Sequence, residues 1–265
     1  KEPSVRTNFV DADLAVINGA ALFITERGAE GAPHRISVDL PSGWPQVHTG
    51  LDRTPGGSPA DFTAVDLDEL LDSPLVMGDA TVRSLDLPGA PHELVLAGAL
   101  GPWDVDRSTA DVTAIVREQQ ALWGDEPYAH YTFLNVVNET RGGLEHLDST
   151  LMMTNRLATS TREAYVGWLG LVSHEFFHTW NVKRLRPAPL GPFDYEHEVY
   201  TPSLWVAEGL TSYYDDLTLV RAGLITDKEY LERISDQLAG VQDTPGRQVQ
   251  TLSQASADAW IKYYR

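Results

Sequence analysis

The chain has 265 residues, no cysteine and a formal net charge of −18 at pH 7. That charge argues against nucleic acid as a partner, because phosphate binding needs an excess of clustered Lys and Arg. No apolar run is long enough to span a membrane. Disulfides and thiolate ligands are excluded, so any metal must bind His, Asp or Glu. The compartment and the oligomeric state stay open, and residues 1–13 contain no apolar leader segment.

The first hundred residues have the pattern of short strands separated by turns. Apolar or alternating stretches lie at 14–25, 34–40 and 93–100, with clusters of Pro and Gly between them. No cluster of ionisable residues in this part indicates chemistry. We therefore predict an all-β N-terminal domain over residues 1–107, which supports or shapes the site of a second domain.

The pattern changes near Ser108, where Ser-Thr-Ala-Asp has the form of a capping box and predicts a helix toward Trp123. An apolar run predicts a strand at 131–137, and the Gly-rich segment after it predicts two strands at a sheet edge. We assign residues 108–265 to a mainly helical second domain with a small sheet. The predicted fold class is α+β.

Capping boxes predict the starts of two more helices, at residues 160–163 and 226–229. Helical apolar spacing extends the first of them over 161–182, and the second ends near Gly240. Between them, a Thr-Pro pair at 201–202 predicts the start of another long helix. The second half of the chain is therefore predicted to be built mainly from helices.

The segment His-Glu-Phe-Phe-His at residues 174–178 lies inside the first of these helices. Residues four apart share a helix face, so His174 and His178 can point at one ion, with Glu175 beside them toward a water molecule. Zinc suits two neutral imidazoles and a carboxylate, although cobalt and manganese accept the same ligand types. Glu208, on the next helix, is the third candidate ligand. We predict one zinc ion per chain.

Asp215 is a candidate for orienting a ligand histidine. It lies two turns after Glu208 on the same predicted helix face, so its carboxylate can accept the free ring N–H. Ser212, one turn after Glu208, is a weaker candidate for the same role. The alternative for Asp215 is a solvated acidic residue on the helix surface, and the sequence favours neither interpretation.

Long segments of the chain resemble the glycyl aminopeptidase family of zinc peptidases, which belongs with the gluzincins and often carries a PDZ domain. The segments in the catalytic half lie at residues 142–149, 174–187 and 204–217. Residues 5–23 are similar to the β domain that precedes the catalytic domain in that family. The resemblance implies that residues 108–265 form a thermolysin-like catalytic domain. It also implies that His174, His178 and Glu208 are zinc ligands and that Glu175 is the general base.

The resemblance also implies a substrate-binding strand. Gly142, Gly143 and Leu144 resemble the strand with which related aminopeptidases pair the substrate backbone, and Glu145 resembles the residue that receives the substrate's amino terminus. A carboxylate suits a cationic amine, and two glycines permit close backbone approach. The alternative is a tight β turn with an exposed Glu145. His146 is favoured as a structural histidine rather than a substrate contact.

In related enzymes a tyrosine downstream of the third ligand donates a hydrogen bond to the oxyanion. We expect that tyrosine, like the PDZ region, beyond Arg265, and we therefore expect this chain to be a piece of a longer protein. Tyr213, Tyr214, Tyr263 and Tyr264 are alternatives that are more typical of packing residues.

The predicted function is zinc-dependent removal of N-terminal residues from peptides, with small residues such as glycine implied by the family alone. One alternative is a zinc endopeptidase of the same fold, which would differ in the role of Glu145. Another is a non-catalytic fragment that binds peptides.

Overall fold

The computed structural model describes residues 3–262. The strands are β1 (Phe9–Val10), β2 (Leu14–Ile17), β3 (His34–Ser37), β4 (Gln46–His48), β5 (Asp52–Arg53), β6 (Asp61–Ala64), β7 (Leu75–Gly78), β8 (Ala80–Ser84), β9 (His92–Gly98), β10 (Tyr131–Asn138), β11 (Gly142–Glu145) and β12 (Ser149–Asn155). The α-helices are α1 (Leu67–Leu71), α2 (Val105–Trp123), α3 (Arg162–Phe177), α4 (Leu204–Arg221), α5 (Asp227–Asp243) and α6 (Leu252–Lys262). The predicted α+β class is confirmed, with a β-rich N-terminal part and a helical C-terminal part. No helix among residues 3–262 combines the length and apolar character needed to cross a membrane.

Two small antiparallel sheets build the N-terminal part, in the strand orders β1-β2-β7-β4 and β3-β6-β5. Successive side chains of a strand point to opposite faces, so β2 contributes to two cores. Ala15 packs with Phe62 between the two small sheets. Val16 points the other way and packs in a core with Val136 of the large sheet.

The large sheet has the order β11-β12-β10-β9-β8 and carries the site at its β11 edge. β10 is parallel to both β9 and β12, whereas β11 is antiparallel to β12. One face packs against α2 and α3, where Phe133 meets Phe176, and the other packs against β2 and β7. Burial on both faces explains why β9 and β10 have nearly continuous apolar sequences.

The predicted division at residue 107 differs from the sheet pairing. β8 and β9 precede that residue, yet they belong to the same sheet as β10 and β12. β10 pairs with β9 over its length, beginning with Tyr131 opposite His92. The chain therefore changes sheet near residue 79, between β7 and β8. Strand periodicity shows where a strand lies but not which strand it pairs with, so it does not separate these two strands from the N-terminal ones.

Two helix starts also differ from the capping prediction. The N-cap of α2 is Asp104, whose Oδ1 accepts from the amide of Arg107 at 3.0 Å, while Ser108 lies inside the helix. The N-cap of α3 is Thr161, one residue after the predicted one. Both capping residues satisfy amides that the first turn leaves free. The capping box of α5 at Thr226 is present as predicted.

Candidate metal centre and active site

The C-terminal end of α3 carries both histidines of the motif. His174 lies in the last turn, and His178 is the C-cap residue. The apolar spacing predicts a helix that continues to residue 182, but α3 ends at Phe177. The carbonyl of Asn181 accepts a hydrogen bond from Nδ1 of His178 at 2.7 Å. In a continuing helix that carbonyl would instead point along the axis toward an amide four residues on.

Three side chains from α3 and α4 converge on one point. The Nε2 atoms of His174 and His178 are 3.1 Å apart. Oε2 of Glu208 lies 3.4 Å from Nε2 of His174 and 3.7 Å from Nε2 of His178. These ligand atoms form a group with the spacing needed to hold a metal ion. We call His174, His178 and Glu208 the metal group.

The outer nitrogen of each imidazole has an oxygen partner. Nδ1 of His174 lies 3.0 Å from Oδ2 of Asp215. Nδ1 of His178 meets the Asn181 carbonyl, and Oγ1 of Thr211 donates to that same carbonyl at 3.2 Å. When Nδ1 donates, Nε2 carries the lone pair. Two lone pairs and a carboxylate oxygen that face one another fit a divalent cation, and this donor set suits zinc.

The electrostatics of His174 agree with this fit. Burial lowers the pKa of His174, but the hydrogen bonds to Asp215 and Glu208 outweigh that effect and raise the pKa to about 10. Burial raises the pKa of Glu208, yet the hydrogen bond from His174 and the charge of His178 lower it overall. The surroundings therefore attract positive charge, which a metal ion supplies in place of a proton.

A buried polar network fixes α3 against α4 beside the ligands. Gln119 on α2 is fully buried, and its Nε2 donates to the carbonyl of Ser173 at 2.8 Å. The hydroxyl of Ser173 donates to the carbonyl of Asp215 at 2.9 Å. Ser173 precedes the candidate ligand His174, and Asp215 contacts the same histidine, so this network holds both close to the candidate ligands. Sequence reasoning missed Gln119 and Ser173 because nothing in their local pattern indicates a partner on another helix.

Replacing Asp215 with asparagine is expected to weaken zinc binding by about 10- to 100-fold, because the carboxylate that orients His174 loses its charge. Competition with a fluorescent chelator would measure the change in Kd. Asp236→Asn, which removes an exposed carboxylate from α5, is the matched control. An unchanged Kd for the Asp215 variant would assign Asp215 to helix packing alone.

Glu175 lies against strand β11. A Cβ added to Gly143 would overlap the Glu175 carboxylate and lie 2.6 Å from its Cγ. Glu175 is buried. Burial raises its pKa to about 8, the neighbouring charge of Glu145 adds to the rise, and His174 opposes it. The absence of a side chain at residue 143 is therefore what allows this carboxylate to sit beside the metal group.

Glu145 lies at the other end of β11. Its carboxylate forms a second close group with Glu175 and His178. Among residues 3–262, β11 pairs only with β12, so its outer edge has no strand partner. Leu144 points away from this group and packs in the core between the large sheet and strands β2 and β7. Gly142, one residue before Gly143, is less confined, since a Cβ added there would make only an ordinary contact with the side chain of Val5 at 3.9 Å.

Within the described residues, the side chain of His146 contacts Asp72. His146 is buried, and its Nδ1 lies 3.3 Å from Oδ1 of Asp72. Asp72 also accepts from the amide of Leu147 at 2.6 Å and from Nζ of Lys183 at 2.8 Å. A residue that follows α1 thus ties the end of β11 to the segment after α3. Sequence reasoning did not predict the contact between Asp72 and Lys183.

The candidate oxyanion tyrosines divide into two groups. Tyr214 stacks on Phe177 with ring centroids 5.0 Å apart, and Tyr213 packs edge-on against Tyr214. These are packing contacts. Tyr263 and Tyr264 lie outside the described residues.

The fold is that of the M1 zinc metallopeptidases. An M1 zinc metallopeptidase from Deinococcus radiodurans superposes with a TM-score of 0.53 at 16% identity, covering 89% of this chain and 52% of that protein. A variant of a two-domain M1 zinc metallopeptidase bound to L-arginine gives a TM-score of 0.51 at 15% identity, covering 88% of this chain and 51% of that protein. At these identities the likeness shows the fold alone.

A closer likeness and two family models identify the family. An aminopeptidase N family protein from Idiomarina loihiensis superposes with a TM-score of 0.94 at 34% identity over 99% of this chain, which spans 46% of that protein's length. Residues 167–265 match the M61 glycyl aminopeptidase model, and residues 1–79 match the M61 N-terminal domain model. The chain belongs to the M61 glycyl aminopeptidase family, as its sequence segments predicted. The N-terminal match ends where the chain changes sheet. No curated protein matches the chain significantly.

Proposed function

We propose that this protein is a zinc-dependent aminopeptidase that binds one zinc ion through His174, His178 and Glu208. The observation that carries the proposal is the convergence of two imidazole Nε2 atoms and a carboxylate oxygen, all within 4.8 Å of one another. Glu175 lies beside this group, and Glu145 lies beyond it on an open sheet edge. Membership of a peptidase family supports the same activity.

Glu175 is the proposed general base. When bound, zinc acidifies a water molecule and polarises the carbonyl of the scissile bond. The Glu175 carboxylate accepts a proton from the attacking water and then gives it to the leaving amine. Its burial and raised pKa suit a group that holds a proton between these two steps. No side chain of the site needs to form a covalent bond to the substrate.

Glu145 is proposed to bind the substrate's free amino terminus. A substrate strand that pairs with the open edge of β11 runs past Glu175 and Gly143 and brings its first residue to Glu145. An ammonium and a carboxylate form a charge-assisted hydrogen bond. Because Glu145 lies so close to Glu175 and His178, there is room for only a short stretch of peptide before the scissile bond. A preference for small first residues such as glycine rests on the family alone.

The test combines metal analysis with hydrolysis of aminoacyl fluorophores, with and without a chelator. We expect one zinc per chain and release of the fluorophore that the chelator abolishes and added zinc restores. Zinc without release, but with cleavage of internal peptide bonds, would favour an endopeptidase. Zinc and peptide binding without any cleavage would favour the non-catalytic alternative. A protein that binds no metal would contradict the proposal.

Acetylating the amino terminus of a peptide substrate is expected to abolish its cleavage, because the amide has no positive charge for Glu145. Paired peptides with free and acetylated termini, compared by mass spectrometry, would measure this effect. Glu145→Gln should raise KM for the free peptide more than it lowers kcat. Equal cleavage of both peptides would assign the site to an endopeptidase.

A further inference from the structure

A cavity of about 590 Å³ opens from His174 and Glu175 and continues along α3. Gly167, Gly170 and His174 line it from a single face of the helix, since residues three and four apart lie on one face. The two glycines contribute no side chains, which leaves open space along this part of the helix. The remaining wall includes two arginines, one before β11 and one on α5.

β11 and α3 run past the site in the same direction. Near the cavity, Nη2 of Arg141 lies 3.3 Å from the place that a Cβ of Gly167 would occupy. At the middle of the strand, Gly143 meets Glu175. At its far end, Glu145 groups with His178. A substrate whose amino terminus is at Glu145 therefore extends past Glu175 into the cavity, so the cavity receives the residues that follow the cleaved bond.

The two arginines differ in how they are held. Arg141 is exposed and makes no hydrogen bond or ion pair within the part of the chain that the structure describes. Arg233 donates from Nε to the fully buried Asp216 at 2.6 Å. Nε2 of Gln237 donates to the same carboxylate at 3.2 Å. This arrangement fixes Arg233 so that its Nη2 lies 3.3 Å from the place of a Gly170 Cβ.

Acidic side chains also line the cavity, and their roles differ. Asp215 is engaged with Nδ1 of His174. Glu163 is exposed in the first turn of α3, where it makes no ion pair with any described residue. Glu163 therefore opposes the binding of an anion, while Arg141 and Arg233 favour it.

The spacing matches a short peptide. Gly170 and Gly167 precede Glu175 by five and eight residues, which is about 7.5 and 12 Å along a helix axis. An extended peptide advances about 3.3 Å per residue. The two guanidinium groups therefore lie about two to four residues beyond the cleaved bond. Guanidinium groups bind carboxylates in a planar, two-bond arrangement.

We propose that this cavity binds the C-terminal carboxylate of short peptide substrates, chiefly those of about three to five residues, through Arg141 and Arg233. The inference rests on the proposed function, because Glu145 sets the direction of the substrate. The protein would thus bind both ends of a short peptide. Glu145 would bind the amino terminus, and the two guanidinium groups would bind the C-terminal carboxylate.

Tetra-alanine and its C-terminal amide distinguish this proposal from nonspecific peptide binding. With the zinc-loaded protein we expect kcat/KM to favour the free acid by about tenfold, the size of one charge-assisted contact. Arg141→Gln should bring this ratio close to one, and Glu163→Gln should increase it. Arg83→Gln, which changes an exposed arginine on β8 at the opposite edge of the sheet, is the matched control and should keep the ratio.

A second pair of peptides, Ala-Ala-Glu-amide and Ala-Ala-Gln-amide, tests an acidic side chain as the source of the carboxylate. Preference for the Glu peptide that Arg141→Gln removes would extend the proposal to side chains. A ratio of one for both peptide pairs, or a preference unchanged by Arg141→Gln, would overturn it. Failure to cleave any peptide would contradict the proposed function. In that case, titration calorimetry on the same protein would compare the binding of the free acid and the amide. Tighter, Arg141-dependent binding of the acid supports the cavity assignment, and equal binding of acid and amide rejects it.

Discussion

Replacing Glu175 with glutamine is expected to lower kcat by about 100- to 10,000-fold, the usual contribution of a positioned general base. Glutamine keeps the size of the side chain but cannot accept the proton of the attacking water. The ligands His174, His178 and Glu208 are unchanged, so zinc should remain bound at the level of the parent protein. Steady-state hydrolysis and elemental analysis on the same sample would measure both outcomes.

The fold should tolerate this change, because the carboxylate of Glu175 is buried beside Glu145 and its pKa is raised to about 8. A neutral amide removes that unfavourable proximity of two acids. We therefore expect the Tm of the Glu175 variant to equal or exceed that of the parent. Glu232→Gln, on the exposed surface of α5, is the control and should change neither kcat nor Tm. Retained turnover in the Glu175 variant would refute the assignment of the base.

Much of the candidate site could be predicted because its geometry is local. His174 and His178 come together through the pitch of one helix, and that relation follows from their spacing alone. The approach of Glu208 required only that the next helix pack beside the first. The contact of Asp215 with His174 follows from the same two helices, although the sequence could not distinguish it from a surface carboxylate.

The parts of the site that the sequence did not predict depend on where a helix ends and on contacts between distant residues. The apolar spacing predicts Asn181 inside a helix, yet its carbonyl orients His178 because the helix has already ended. Arg233 reaches the cavity from α5 through a buried partner on α4. Contacts of this kind join residues that are distant in sequence, and no local pattern marks them.

The predicted division at residue 107 also shows that a local sequence pattern does not reveal which strands pair. The alternating pattern located β9 to within a few residues, but pairing with β10 crosses more than thirty residues of intervening chain. A parallel pair needs such a crossover, here containing α2. The sequence change at the start of α2 therefore falls on a connection between two strands of one sheet.

Replacing Gly143 with alanine is expected to lower kcat by about 100-fold, the loss that follows when a catalytic group moves by about 1 Å. The new methyl group would occupy the space of the Glu175 side chain. Gly143 has no positive φ, so steric overlap alone causes the effect. Overpacking should also cost about 1 to 3 kcal/mol of unfolding free energy. Hydrolysis rates and denaturant unfolding would measure the two effects separately, while zinc affinity should stay the same.

A double-mutant cycle tests whether the overlap with Glu175 is the cause. In a Glu175→Ala background the space beside Gly143 is empty, so adding Gly143→Ala should cost little further stability. Gly240→Ala, on α5 where nothing lies within 4 Å of the new Cβ, is the control for a glycine replacement without a clash. An equal loss of stability from Gly143→Ala in both backgrounds would place the clash elsewhere on β11. If Gly143→Ala lowers stability only when Glu175 is present, the clash is with Glu175. That result would show that Glu175 can keep its position only because residue 143 has no side chain.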